Sequence, residues 1–512
     1  MHTFTSILLS GLMLVGLLPA AERPNVIFIS IDDMNDWIGP MNDPQAKTPN
    51  MDRLAKRGVT FQNAHTPGVF CSPSRAAIFT GRYSSTTGCY ENQVYFHDHP
   101  EYRPLQMAFH EAGYATYGTG KLFHHGAGYH DQRGWDEFRV RTEEQKKVGW
   151  PVDTWNYGNP PLPNPYPHSR FITEGRDASA DKAGGGNDKV KESGFMDSGP
   201  IPNDKEELMS DTMRANWACE VIKRKHEKPF FMGVGFYCPH FPNFAPQKYF
   251  DLYPLDQMKA GPIKADDLDD IPEPTRKEKS NRSKIHTRLG ELGLIPEVIQ
   301  GYRASTSYVD AMIGRILDAL DASPYRDNTI IVLWSDNGYH FGEKGDYGKH
   351  TLWERTSNVP LIWAGPQMAK GASVNASASL IDMYPTFIDL CSLKNDSGLE
   401  GKSLASTLKD PTTAVDRTVL LPFHKIGGYT LVNQQWRYIH YPNHTEELYD
   451  LTTDPNEWTN LASQPAHKEI IDGMKKLAPK SFAAAGPNSN ELKLVNVGEQ
   501  FHWEKKTEKK KK

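Results

Sequence analysis

Three short, uninterrupted apolar runs stand out of an otherwise polar chain: Val26 to Ile31, Pro229 to Tyr237 and Thr329 to Trp334. Apolar residues in sequence, rather than in alternation, predict strands buried on both faces, as in a parallel sheet. Weaker runs at Tyr114 to Thr119 and Val359 to Trp363 predict two further strands. Helical spacing of apolar residues appears at Leu105 to Ala112, Leu208 to His226, Glu297 to Leu320 and Ile381 to Leu390. Thr48-Pro49-Asn50 supplies a cap and a first-turn proline for another helix, with Gly58 closing it. Asp256 to Leu294 reads as charged and irregular, and Trp150 to Asn203 as a long insertion rich in Pro, Gly and polar residues. From about Val415 the segments shorten and alternate, at Tyr429 to Asn433, Trp436 to Tyr441 and Glu447 to Asp450, with a last helix near His467 to Leu477. The fold class expected is α/β, a large mixed, mostly parallel central sheet flanked by helices, with a smaller C-terminal antiparallel sheet subdomain. The expected division is a signal peptide over 1–21, a main catalytic domain over 22–414, the subdomain over 415–500, and a basic disordered tail over 501–512.

The signal peptide rests on Ile7 to Leu18, too short to span a bilayer, followed by Pro19-Ala20-Ala21. Export to the periplasm or beyond is expected, although the leading segment Met1 to Ser6 departs from the signal-peptide pattern in lacking Lys and Arg; no cysteine follows the run, so no lipid anchor is expected. A net charge of -5 with 38% hydrophobic and 24% charged residues describes a globular chain with no footprint for nucleic acid. The five cysteines, Cys71, Cys89, Cys219, Cys238 and Cys391, are an odd number for an oxidising compartment, which singles one out. Cys71 is that one. Cys71-Ser72-Pro73-Ser74-Arg75 reads as a loop entering a helix, where unpaired N–H groups and a guanidinium favour anions and activate a nucleophile.

The chemistry gathers at predicted strand ends, where open α/β sheets bind ligands. The first long strand ends in Asp32-Asp33 and the third in Ser335-Asp336-Asn337-Gly338. Between them Gly120-Lys121-Leu122-Phe123-His124-His125 and Cys238-Pro239-His240 follow two more strands, and Gly342-Glu343-Lys344-Gly345 leads to Lys349-His350. Asp32, Asp33, Asp336 and Asn337 are all oxygen donors, a set that selects Ca²⁺ or Mg²⁺ over zinc. Arg75, Lys121, His124, His240 and Lys349 would then form a cationic wall for a tetrahedral oxyanion, suited to hydrolysis of a sulfate or phosphate ester.

Cys71-x-Pro73-x-Arg75 with Thr80-Gly81-Arg82 resembles the signature of type I, formylglycine-dependent sulfatases of the alkaline phosphatase superfamily. The resemblance extends through the acidic pair, Gly120-Lys121, Cys238-Pro239-His240, Ser335-Asp336-Asn337-Gly338, the Lys349 loop, and Glu447-Leu448-Tyr449-Asp450-Leu451 with Asp454-Pro455. It is greatest to the iduronate-2-sulfatase branch, in the two residues separating Lys121 from His124 and in the pattern Gly342 to Lys349. It implies an alkaline-phosphatase-like fold and a sulfuric ester hydrolase acting on a sulfated glycan, possibly a uronic acid 2-sulfate. It implies that a formylglycine-generating enzyme oxidises Cys71 to 3-oxoalanine, whose hydrate is the nucleophile. Asp32, Asp33, Asp336, Asn337 and the modified residue 71 would hold Ca²⁺. Asp336 would help activate the attacking hydroxyl, His240 or Lys349 would protonate the leaving alcohol, and His124 would be the base in the second step. Arg75 and Lys121 would hold the diol, and Lys121, His240 and Lys349 would bind the sulfate.

The chain departs from that branch at Asn337, where iduronate enzymes carry His, at Cys238, where they carry Lys, and across 150–203. Tyr90, Glu91 and Asn92 are either a substrate-side wall or a solvated loop. Two readings compete with the sulfatase: a formylglycine-dependent phosphonate monoester or phosphodiester hydrolase, and a glycan-binding pseudoenzyme. The complete reactive set argues against the latter.

Overall fold

The computed structural model describes residues 23–124, 128–139, 198–273, 275–276, 283–497 and 500–506. The expected signal peptide, His125, most of the insertion over 150–203 and the last tail residues lie outside the described residues.

Eight strands form the main sheet: β1 (Asn25–Ile31), β2 (Gly58–Phe61), β3 (Ala115–Gly120), β4 (Glu137–Arg139), β5 (Phe230–Gly235), β6 (Thr329–Ser335), β7 (Leu361–Ala364) and β8 (Ala372–Val374). Their order is β8-β2-β7-β6-β1-β5-β3-β4. All pairings are parallel except those of β7, which runs against both β2 and β6. The three long apolar runs are neighbours at the centre, with Val26 level with Phe231 on one side and Ile330 on the other. Covered on both faces, they need apolar side chains in both directions, which is why they read as unbroken runs.

One face packs under α2 (Cys71–Thr80), α3 (Leu105–Glu111) and α6 (Met383–Cys391). The other packs under α1 (Pro49–Ala55), α4 (Ser210–Lys223) and α5 (Ile295–Asp321). Phe28 sits at the middle of the first face, its ring within 5.1–6.1 Å of the rings of Phe79, Phe231, Trp334 and Phe387. Ile27, Ile29 and Ile31 point the other way, into the second core.

The C-terminal sheet is antiparallel throughout, β9 (Val419–Pro422), β10 (Tyr429–Val432), β11 (Trp436–His440) and β12 (Glu446–Asp450). Helix α7 (Lys468–Lys475) lays Ile471 and Met474 on it, against Leu431, Tyr438 and Leu448.

Three sequence expectations change. Helix α1 ends at Ala55 and Gly58 opens β2 instead of capping the helix. A Cβ on Gly58 would lie 1.9 Å from the Trp363 carbonyl oxygen, so the glycine is there to let β7 pass close by. The irregular stretch 256–294 contains a helix over Ser283–Glu291. The disordered tail expected from 501 instead begins inside a hairpin, β13 (Leu492–Val497) with β14 (Gln500–Lys505). Its basic composition hid Phe501 and Trp503, spaced for one face of a strand, which pack on His130 and Tyr129.

Phe28→Ala removes the ring at the centre of the first core and is expected to cost about 3–5 kcal/mol. Urea unfolding measures this, and a loss near zero would show that the core closes over the gap.

Candidate active site

The parallel register brings the ends of β1 and β6 to one level, so Asp32-Asp33 and Asp336-Asn337 leave the sheet side by side. Asp33 turns back in the left-handed region (φ 58°), a strained conformation for a non-glycine residue. Its N–H donates to Asp336 Oδ1 (3.1 Å) and its carbonyl accepts from the Tyr302 hydroxyl on α5 (2.8 Å). Facing them, α2 begins at Cys71, with Phe70 extended before it and Pro73 in the first turn, where no N–H is needed.

Cys71 Sγ lies 3.3 Å from Asp32 Oδ1, 3.9 Å from Asp33 Oδ1, 3.6 Å from Lys121 Nζ and 3.0 Å from Lys349 Nζ. Asp32, Asp33, Cys71 and Asp336 each offer an atom within 4.8 Å of the others, all buried. Asn337 donates to Asp33 Oδ1 (2.8 Å), while its own Oδ1 and Asp33 Oδ2 are buried acceptors lacking a hydrogen bond. Buried oxygens crowded together and left unsatisfied are what a divalent cation would complete, and the donor set suits a hard ion.

Cations hold the carboxylates from outside. Lys121 pairs with Asp32, and Lys349 Nζ lies 2.5 Å from Asp33 Oδ1. Arg75 binds Asp336 Oδ2 through Nε (2.8 Å), approaches Asp32 Oδ1 (3.5 Å) and donates to Ser30 Oγ (2.7 Å). His240 Nε2 stands 3.6 Å from Asp33 Oδ2. His124 borders this group at the rim, its ring edge-on to Phe70 and Tyr129. All ten predicted site residues therefore fall in one region. Arg75 orients the carboxylates beside residue 71.

Burial would raise Asp32, yet Lys121, His240, Arg75 and Lys349 together hold it well below the ordinary carboxylate range. Burial prevails at Asp33, and pushes Asp336 up to about 6. The thiol of Cys71 is driven well above its usual value, first by burial and then by Asp32 and Asp336. Burial first, and then the carboxylates opposite, thus work against the activation that a helix start and an arginine would give this sulfur.

Sequence reading missed the supports. Ser30, a polar break in the first apolar run, holds Arg75; Thr66 and Ser74 both donate to the Asp336 carbonyl (2.6 and 2.7 Å). The Lys349 loop is fixed from the C-terminal subdomain. Lys344, in the left-handed region (φ 54°), is buried between the rings of Trp353 and Tyr449 and pairs with Asp267 at 2.6 Å. Glu447 accepts from Trp353 Nε1 and from Tyr449 (both 2.8 Å). Arg437, fully buried, pairs with Glu354 and with Glu457 Oε1 (2.6 Å) and donates to the Leu352 carbonyl (2.8 Å). Tyr90 and Glu91 turn to the chain's C-terminal stretch, at the Ala483 carbonyl (3.1 Å) and Asn488 Nδ2 (3.4 Å). Cys238 is buried with its N–H on Asp211 (2.9 Å), and none of the five cysteines is in a disulfide.

A mostly parallel α/β sheet with acids and cations at its carboxyl edge and a small antiparallel sheet behind defines an alkaline-phosphatase-like hydrolase. The chain belongs to the sulfatase family, which matches residues 24–393, and it is an enzyme that hydrolyses sulfate esters. N-sulphoglucosamine sulphohydrolase, C-terminal, matches residues 342–481. A sulfatase of Formosa agariphila is 36% identical over 92% of this chain and 89% of its own. Iduronate 2-sulfatase of Mus musculus is 27% identical over 75% of this chain and 67% of its own. A solved protein in complex with its substrate D-glucosamine-2-N,6-O-disulfate shares the fold at TM-score 0.66 and 20% identity, over 89% of this chain and 97% of that one.

Arg437→Met leaves Glu354 and Glu457 buried without their cation, and is expected to cost about 3–5 kcal/mol. Urea unfolding of the two proteins side by side checks this, and equal midpoints would contradict it.

Proposed function

We propose that this sulfatase is exported and removes sulfate from a sulfated glycan, with a uronic acid 2-sulfate as the leading substrate, through a formylglycine at position 71 and a bound Ca²⁺. The observation that carries the reading is the position of Cys71 Sγ, at the first residue of a buried helix, within 3.6 Å of Asp32, Lys121 and Lys349 at once. In the mature enzyme that sulfur would be replaced by the oxygens of a hydrated aldehyde. The glycan assignment is supported by the substrates named for the iduronate and glucosamine relatives and by the Lys121 to His124 spacing.

Asp32, Asp33, Asp336, Asn337 and residue 71 would hold the metal, which supplies positive charge to the sulfate and to the attacking oxygen. Asp336, steered by Arg75, would take the proton of the attacking hydroxyl. Lys349, the cation nearest Sγ, and Lys121 would hold the sulfate oxygens, and Lys349 or His240 would protonate the departing alcohol. His124 would then take the proton of the second hydroxyl. As that C=O bond forms, the bond from carbon to the sulfate oxygen breaks, sulfate leaves with its electron pair, and water restores the diol.

Intact-mass analysis of the residue-71 peptide is expected to show a loss of about 18 Da relative to cysteine, from conversion of thiol to aldehyde. An unmodified thiol in active enzyme refutes the chemistry. Activity towards 4-nitrophenyl sulfate is expected to vanish on chelation with EGTA and to return with Ca²⁺ but not with Zn²⁺, since all the protein donors are hard oxygens. Recovery with Zn²⁺ alone would rule out the calcium assignment.

A further inference from the structure

The imidazole of His124, at the rim of the site, packs edge-on to the Tyr129 ring, 4.9 Å between centroids at 87°. The placement of Tyr129 is in turn decided by the far end of the chain. Its hydroxyl donates to Ser489 Oγ and approaches the Asn92 carbonyl (3.4 Å), and its ring meets Trp503 edge-on at 6.1 Å. Trp503 Nε1 donates to the Gly128 carbonyl at 2.7 Å. Gly128 has φ 83°, and a Cβ there would lie 2.5 Å from Leu494 and 2.6 Å from Trp503, so the hairpin rests directly on the backbone beside Tyr129.

The hairpin is also anchored on its own account. Phe501 packs on Phe96 and His130 and donates its N–H to Gln132 (3.2 Å). Ser489 donates its N–H to the Asn92 carbonyl (3.0 Å), and Asn488 closes a capping box with Glu491. A strand pair this short is marginal alone, so its order comes from what it is packed on. The same contacts fix the wall behind His124.

We infer that the C-terminal hairpin β13–β14 is a brace for His124: Trp503 and Ser489 fix Gly128 and Tyr129, and Tyr129 fixes the imidazole in the position from which it takes the proton of the second step. Tyr129 and Trp503 are positioning residues, touching neither the sulfate nor residue 71. The inference rests on the role given to His124 above. A misplaced base slows the collapse of the sulfated diol while leaving the attack on sulfur, which depends on residue 71, Lys349 and Asp336, as fast as before.

The test uses the full-length enzyme with Tyr129→Phe, which keeps the ring and loses its two hydroxyl contacts, and Trp503→Phe, which loses the bond to Gly128 and part of the indole's packing there. Should one variant fail to fold, the other carries the test. With 4-nitrophenyl sulfate, each is expected to lower kcat on the order of 10-fold to 100-fold and KM with it, so that kcat/KM, which reports the attack on sulfur, stays nearly unchanged. Acid-quenched enzyme is expected to show the residue-71 peptide with the sulfo group retained, as His124→Ala should also show. Adding Tyr129→Phe to His124→Ala is expected to cause little further loss, because both changes act on one step. If His124→Ala retains the sulfo group and neither phenylalanine variant does, the brace is wrong and the base assignment stands. If His124→Ala retains none, the base assignment fails and the brace fails with it.

Discussion

Three carboxylates, Asp32, Asp33 and Asp336, are buried within one cluster, and the rest of the structure is arranged so that they can be. An ionised carboxylate taken out of water without a partner costs several kcal/mol. Three together would repel one another as well. Each is instead met by a cation from a different part of the chain, Lys121 after β3, Arg75 on α2 and Lys349 from the loop beyond β6, with the His240 imidazole after β5 beside Asp33. The compensation is unequal, with Asp32 held well below its ordinary range while Asp33 and Asp336 are pushed up. That remainder is an electrostatic cost that a divalent ion would offset.

The register of the central strands explains how these groups meet without flexible linkers. With β1 between β5 and β6 and all three parallel, every strand end falls on the same edge, and each following loop needs only a few residues to reach the centre. Lys349 is the exception, arriving on a long loop. It is held by a second buried ionic network in which Arg437, Glu354 and Glu457 join the C-terminal sheet to Glu354-Arg355 and the residues before them. An apolar interface of the same volume would give comparable stability. Directional bonds to the Leu352 carbonyl and the Glu354 N–H give a fixed loop position as well, and the left-handed residues Lys344, His350 and Glu457 mark where the backbone is bent to suit it.

Much of this was legible in the chain. The three central strands, the acids at two of their ends and the signature at Cys71 are local patterns, and the structure brings all ten predicted site residues together. What escaped was of two kinds. The antiparallel direction of β7 and the role of Gly58 depend on which backbone passes close by, and no local pattern encodes that. The thiol of Cys71 read as activated because its sequence neighbours are a helix start and an arginine; the burial that works against this, and the carboxylates that add to it, arrive only with the fold. Ser30 was visible as a polar residue in an apolar strand, and asking what it bonds would have led to Arg75.

The hairpin at 492–505 shows how composition can mislead about the end of a chain. Lysines dominate the closing residues, and lysine-rich ends are usually solvated. Yet alternate positions of Gln500–Lys505 carry Phe501 and Trp503, and a strand needs only one apolar face to dock. Docking a chain terminus costs conformational entropy, so it persists only where several groups gain from it together. Here the indole, its N–H and two aromatic contacts all fall on the short segment around Gly128 to His130, directly beside His124. The wall of the site beside His124 is thus closed by a strand about 375 residues further along the chain, so its geometry depends on that strand having docked.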